Sequence, residues 1–360
     1  MKFSLVYELE LPKPWTETSE YELYWESLAQ IELADQLGFH TLWEVEHHFL
    51  AEYSHSSCPE VFLAAVSQRT KNIRLGHGVV LLPFPYNHPI RAAERAAALD
   101  ILSSGRLDFG TGRSVTALEL EGFQIDPDDT HEMCAEALEI IVKAWTEDPL
   151  EHEGKRLKIP PRSVVPKPVQ KPHPPLWMAA TGPASFEIAG KKGVGALCFN
   201  FSFEQANRAI KIYHEAIADA IPVGLEVKNE FGQFLLVHCC TDDEGMHIAL
   251  DAARWFMFTI GDLFLTLARG ESKSYAYLKE MFDISKPVEE LSDDELMEHP
   301  LIIIGNPERC IKKIQPWFEM GIDQAILMVQ FGRLPHQRIM ESLRLIHREV
   351  MPHYTPWPAS

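Results

Sequence analysis

The tripeptide Glu46-His47-His48 brings a carboxylate and two imidazoles together just past a short apolar stretch, Phe39-His40-Thr41-Leu42-Trp43. An imidazole titrates near neutral pH, so a histidine beside a glutamate is equipped to take and give a proton. Two other stretches have the makings of an anion site. Phe109-Gly110-Thr111-Gly112-Arg113 ends an apolar segment with two glycines, which let a large ligand lie against the backbone, and then a cation. Thr181-Gly182-Pro183-Ala184-Ser185 offers hydroxyls and amides at a helix start, a setting suited to phosphate. Taken singly, each has an ordinary structural explanation: a buried, hydrogen-bonded histidine, a tight turn with a surface arginine, a helix cap. A metal site is disfavoured, because His47 and His48 as neighbours on an extended chain point to opposite faces.

These residues need a scaffold that gathers strand ends on one face. Periodicity places Tyr24, Leu28, Ile31 and Ala34 on one side of a helix over 20–37, closed by Gly38 and followed by a strand over 39–45. A helix over 59–70 precedes Ile73–Leu82, an almost unbroken apolar run of the kind a parallel strand covered on both faces requires. The alternation continues through helix 88–102, strand 106–111, helix 130–146, strand 176–180, helix 183–192, strand 195–199, helix 203–219, strand 231–239 and helix 243–260. A helix capped by Asn306, a strand over 324–329 and a helix over 335–350 close the chain. With the opening strand, 1–7, the strands number eight. Seven prolines between Pro160 and Pro175 exclude helix and mark a long surface connection. Residues 261–304 break the rhythm and read as an insertion before the last β/α unit, with the acidic run 289–295 as a solvated face.

Eight β/α pairs predict an α/β protein of the (β/α)8 TIM-barrel type, a single domain over residues 1–360. The competing open sheet normally carries G-x-G-x-x-G after its first strand, and here Glu8-Leu9-Glu10-Leu11-Pro12 stands there instead. In a barrel, side chains at the carboxyl ends of strands face the active site, which is where Glu46, His47, His48, Arg113 and Thr181 fall. Composition narrows the partners. With 33 basic against 52 acidic residues the net charge is -19, which argues against nucleic acid. No apolar run approaches the roughly 20 residues needed to cross a bilayer, and the first residues read as a strand rather than a signal peptide, so a cytoplasmic protein is expected. The six cysteines lack C-x-x-C spacing, and neither zinc nor a disulfide framework is signalled. The vicinal pair Cys239-Cys240 reads as packing, and Trp255, Phe256 and Phe258 as core rather than a substrate channel.

Several ordered motifs together resemble the bacterial luciferase-like flavin monooxygenases over nearly the whole chain. Trp43-Glu44-Val45-Glu46-His47-His48-Phe49 is similar to the family's W-x-x-E-H-H-F, His88-Pro89-Ile90-Arg91-Ala92-Ala93-Glu94 to its H-P-x-R-x-x-E, and Leu99-Asp100-Ile101-Leu102-Ser103-Ser104-Gly105-Arg106 to its L-D-x-L-S-x-G-R. The resemblance implies reduced FMN bound at the carboxyl ends of the strands and O2 as co-substrate. It further implies a bulge in the third strand with a non-proline cis peptide at Gly78-Val79 under the flavin ring, Gly112 beside the flavin, Arg113 at the phosphate, Thr181, Gly182 and Ser185 completing the phosphate site, and Glu46, His47 and His48 as the catalytic acid/base cluster. Glu94 matches a buried glutamate of the family.

The function this resemblance implies is that of a two-component monooxygenase, which receives reduced FMN from a separate NAD(P)H:flavin reductase and oxidises a small apolar substrate of the aldehyde or hydrocarbon type, as a homodimer. Two alternatives share the fold: F420-dependent hydride transfer, and a non-catalytic flavin-binding protein. Departures from the luciferase pattern bear on the pocket. Gly112 replaces a cysteine beside the flavin, His131 an arginine and His77 a small hydroxylated residue, so light emission is not implied.

Overall fold

The structure, a computed structural model, describes residues 1–268, 270, 272–278 and 291–354. Parallel strands alternate with helices from the first residues: β1 (Lys2–Tyr7), α1 (Ser19–Gln36), β2 (Thr41–Glu44), α2 (Pro59–Arg69), β3 (Arg74–Leu81), α3 (Pro89–Leu102) and β4 (Leu107–Gly112). A short α4 (Ala117–Gly122) and α5 (Thr130–Thr146) lead to a two-stranded ribbon, β5 (Leu150–Glu153) and β6 (Lys158–Arg162). Then come β7 (Leu176–Ala180), α6 (Pro183–Lys191), β8 (Gly195–Cys198), α7 (Phe203–Ile217), β9 (Phe231–Cys239) and α8 (Asp243–Ala268). The last elements are α9 (Asp293–Glu298), β10 (Ile302–Gly305), α10 (Pro307–Glu319), β11 (Gln324–Met328) and α11 (His336–Leu345).

Eight strands close on themselves. The ring runs β1-β2-β3-β4-β7-β8-β9-β11 and back to β1, every pairing parallel. Continuous apolar strands are what this geometry demands, since one face meets the barrel interior and the other the helical layer. Inside, Trp43 of β2 and Trp177 of β7 meet edge to face at 5.1 Å, and Gln324 of β11 accepts from Ser4 Oγ at 2.9 Å, tying the first strand to the last. The amino-terminal mouth is sealed by charge pairs, Lys2 with Glu230 at 2.8 Å and Arg74 with Asp108 at 2.5 Å. Function is left to the carboxyl mouth.

The expected barrel stands, with three corrections. The proline-rich stretch 160–175 is not all loop: Pro160 and Pro161 lie in β6, exposed in an antiparallel ribbon with β5, where a missing N–H need not break a central ladder. The insertion begins later and contains structure, for α8 continues to Ala268 and β10 pairs in parallel with β9 from Ile302–Leu236 to Gly305–Cys239. Because Leu236 also pairs with Met328 of β11, β10 occupies the opposite edge of β9, above the point where β8 leaves it. The part of the insertion over 279–290, with Glu289 and Glu290 of the acidic run, lies outside the described residues. Ser292 and Glu295 of that run form a reciprocal capping box at the start of α9 rather than a merely solvated face.

The third strand carries the expected bulge: its register with β4 shifts between His77 and Val80. The expected cis bond is not there. The cis peptides among the described residues are four X-Pro bonds, and Gly78-Val79 is not one of them; a trans non-proline bond is favoured by about 2.5–4 kcal/mol, and the bulge forms with it. His77 faces the helical layer against Phe109, which itself packs on Trp145 of α5, so its departure from the luciferase pattern does not touch the carboxyl mouth. All six cysteines are free, with Cys239 and Cys240 buried as packing residues. No helix among the described residues is long and apolar enough to cross a membrane.

Candidate active site

Past the end of β2 the chain leaves the sheet, and the next residues turn across the carboxyl mouth. His47 Nδ1 lies 3.0 Å from Glu119 Oε1, and its Nε2 lies 3.6 Å from Glu8 Oε2. Glu119 sits in the first turn of α4 and is fully buried; it accepts from Ser114 Oγ at 2.8 Å, Thr116 Oγ1 at 2.6 Å and the His48 amide at 3.0 Å. The carboxylate is thus fixed before the imidazole arrives. Burial works against charge on His47, but Glu119, by charge and by hydrogen bond, with Glu8 and Glu46 behind it, raises its pKa to about 9. Burial also raises Glu119, yet His47 and the Thr116 and Ser114 hydroxyls more than offset it and hold the carboxyl below its usual range. Glu8, one residue past β1, is driven up to about 7 by burial, with His47 and the Tyr53 hydroxyl pulling it down. The result is an imidazolium clamped by one firm carboxylate and facing another that titrates near neutrality.

Glu46 and His48 turn the other way. Glu46 accepts from the Leu81 amide at 2.8 Å and from Asn87 Nδ2 at 2.8 Å, so its carboxylate anchors the loop after β3; His48 Nε2 lies 3.2 Å from it. The His48 ring stacks on Tyr86 at 5.9 Å and meets Phe123 edge-on at 4.9 Å. The two imidazoles therefore do point apart, and among the described residues no group of three or more His, Cys, Asp or Glu side chains is arranged to hold a metal ion. An arc of rings leads from His47 across the mouth: Tyr53 at 5.6 Å, Phe256 a further 6.1 Å on, and Phe199 6.2 Å beyond that. Phe256 is buried in the core as expected, whereas Phe258 is exposed.

The anion-site candidates converge. Gly112, Arg113, Thr181 and Ser185 line one cavity of about 460 Å³ between the ends of β4 and β7 and helices α5 and α6. Gly182 lines a smaller neighbour of about 190 Å³, shared with Thr181. Both glycines are also required by protein packing. A Cβ on Gly112 would stand 2.3 Å from Val79 Cγ2, and one on Gly182 would stand 2.9 Å from the Tyr277 ring. Val79 at the bulge and Gly112 beside the cavity are therefore one packed unit; Gly78 backs onto Trp43. Ser185 Oγ takes the Thr181 and Gly182 amides at 3.0 Å each, holding the loop in shape. Arg113 gives Nη1 to Thr130 at 3.1 Å and lays its guanidinium over Tyr275 at 4.6 Å, and its other donors make no hydrogen bond among the described residues. A planar donor fork lining a cavity beside a hydroxylated loop fits a phosphate group such as a flavin cofactor carries. Glu94 is half-buried on α3 in an ion pair with Arg91, away from this site.

Four participants were not among the residues singled out from sequence. Glu8 had a signal, a carboxylate immediately past a barrel strand. Glu119 is disguised as a helix-start residue in Thr116-Ala117-Leu118-Glu119, and only folding turns it toward His47. Tyr275 and Tyr277 come from the insertion; the Tyr277 hydroxyl is 2.8 Å from Thr181 Oγ1, and the Tyr275 hydroxyl donates to the Ser114 carbonyl at 2.9 Å.

Comparison with known proteins bears on the fold and the family. A family model described as luciferase-like monooxygenase matches residues 7–324. The oxygenase component of a flavin-dependent trigonelline monooxygenase from Acinetobacter baylyi is 27% identical over 99% of this chain and 96% of its own. The crystal structure of monooxygenase RslO1 from Streptomyces bottropensis superposes with a TM-score of 0.83 at 27% identity, covering 99% of this chain and 100% of that one. The oxygenating constituent of 3,6-diketocamphane monooxygenase from Pseudomonas putida, in complex with FMN, shares the fold at a TM-score of 0.79 and 19% identity, over 99% of both chains. A closed parallel barrel with an E-H-H cluster at its carboxyl mouth, matched by the family model over most of its length, makes this chain an oxidoreductase that belongs to the luciferase-like monooxygenase family.

Proposed function

We propose that this protein is the oxygenase component of a two-component system, taking reduced FMN from a separate NAD(P)H:flavin reductase and using O2 to oxidise a small apolar organic substrate of the aldehyde or hydrocarbon type. The observation that carries the reading is His47, held between Glu119 and Glu8 at the same barrel mouth as the Arg113 cavity. Reduced FMN, when bound, supplies the electrons that activate O2. The chain's own residues do the rest. Arg113 would take the phosphate, with the Thr181–Ser185 loop beside it, and Gly78, Val79 and Gly112 would help to hold the rest of the cofactor. The arc of Tyr53, Phe256 and Phe199 would receive the apolar substrate and keep water from the mouth.

His47 enters the cycle as an acid. At neutral pH it is protonated, with Nδ1–H on Glu119 and Nε2–H turned toward Glu8 and the mouth. A proton given from Nε2 can be recovered through Glu8, whose pKa of about 7 suits it to exchange with solvent. His48, packed between Tyr86 and Phe123 and braced by Glu46, would shape the floor beside it. We expect a homodimer through barrel helices; exposed Val61 on α2 and Ile101 and Leu102 on α3 offer apolar surface for it.

The test is oxygen uptake with reductase, NADH and FMN over a panel of aldehydes and hydrocarbons, with H2O2 measured alongside. Product formation at the expense of H2O2 supports the reading. His47→Ala or His48→Ala should then raise H2O2 per turnover at nearly unchanged flavin affinity. Reoxidation of reduced FMN at its protein-free rate would instead remove the oxygenase reading and leave F420 or a non-catalytic role.

A further inference from the structure

The cavity lined by Arg113 is bounded by the ends of β4 and β7 and by α5 and α6; Leu138, Ile188 and Ala184 line it, and so does a second cation, Lys192. Ser185 and Ile188 of α6 and Lys192, which caps its carboxyl end, recur at helical spacing, so one stripe of that helix faces the cavity. The Cys134 thiol, 3.4 Å from the Gly112 carbonyl, lies within the electrostatic reach of both Arg113 and Lys192. The two cations thus bracket the same small volume.

Charge favours a second cation. A phosphate monoester carries about -1.5 to -2 at neutral pH, and Arg113 alone leaves part of that uncompensated in an apolar cavity. His131, standing where the luciferase pattern has an arginine, also lines the cavity, but burial and the neighbouring Arg113 lower its pKa and keep it neutral. Of the acidic groups nearby, Glu132 is engaged with Lys155 and Arg156, and Glu139 pairs with Lys143 at 2.8 Å while also lying within the electrostatic reach of Lys192, whose pKa burial lowers. Among the described residues the Lys192 amine makes no ion pair or hydrogen bond, and it is half-buried.

We propose that Lys192 is the second phosphate-binding cation of this protein, supplying from the end of α6 the charge that His131 does not. The proposal rests on the flavin-phosphate reading of the cavity. It makes the site a two-ended clamp, in which a planar donor fork from β4 meets one side of the phosphate and a flexible ammonium meets the other.

The experiment is anaerobic equilibrium binding of reduced FMN and of reduced riboflavin, which lacks the phosphate, to wild type, Lys192→Met and Lys192→Arg, with circular dichroism to verify folding. The expected result is a loss of FMN affinity on the order of ten-fold or more in Lys192→Met, riboflavin affinity unchanged, and FMN affinity largely restored in Lys192→Arg. If wild type prefers FMN and Lys192→Met keeps the whole preference, the assignment of Lys192 is overturned while the phosphate reading stands. If wild type binds both flavins equally, the phosphate reading falls, and Lys192 with it.

Discussion

His47 and Glu119 make a coupled pair whose signature is a pH dependence. The folded pKa of His47 is raised to about 9, so the stability it contributes is fully present below its ordinary value of 6.5 and is lost as pH rises through about 9. Glu119 is depressed, so its contribution is present above the ordinary 4.5 and is lost as pH falls through the lower folded value. Thermal midpoints of the wild type should therefore decline between pH 6.5 and 9 by more than those of His47→Gln; parallel curves would show that the pair is not coupled. Glu119→Gln keeps the shape but removes the charge that holds His47 protonated. The alkaline limb of the coupling profile should move to lower pH, and product formation at about pH 8 should fall by roughly 10²-fold, the lower end of what an acid/base group contributes. An unmoved limb would show that another group donates the proton.

At the scale of elements, the bulge in β3 and the glycine end of β4 form one joint. Val79 occupies the space a side chain at position 112 would need, and Gly112 lines the cavity through its backbone. Gly112→Ala should destabilise the fold by about 1–3 kcal/mol through overpacking and weaken reduced-FMN binding, and the added substitution Val79→Ala should recover much of both. Urea melts and anaerobic binding of the single and double variants measure this; a double variant no better than Gly112→Ala would mean that the strain sits elsewhere. The tyrosines reach the same joint from the insertion, Tyr275 under Arg113 and Tyr277 on the Thr181 hydroxyl.

For the whole molecule, closure of the barrel depends on joining the first strand to the last third of the chain. Glu230 stands at that seam, 2.8 Å from Lys2 and bonded by Gln324 and Lys228. Burial raises it, but the hydrogen bonds from Lys2, Lys228 and Gln324 hold its pKa down to about 2. Its contribution is present above 4.5 and is lost as pH falls toward about 2. The stability difference between wild type and Glu230→Gln should thus be largest near neutrality and shrink steadily below pH 4.5. A difference independent of pH in chemical denaturation would mean that packing, and not charge, closes the seam.

The order of strands and helices, the barrel they form and the cluster Glu46-His47-His48 were legible in the chain itself, because they follow from local properties: helical and strand periodicity, capping residues, and side chains placed one or two positions past a strand. The family likeness located Arg113, Thr181 and Ser185 by the same local route. What the fold alone decided are the relations across the chain. Glu119, 72 positions from His47, becomes its counter-charge, Glu8 the second carboxylate facing it, and Tyr277 the partner of the Thr181 hydroxyl. The strand β10 escaped notice because four apolar residues at the end of an irregular insertion carry no period of their own; only the free edge of β9 makes them a strand. Periodicity is a property of neighbours in sequence, whereas charge compensation and cavity shape are properties of neighbours in space, and closing the ring of eight strands is what converts one into the other.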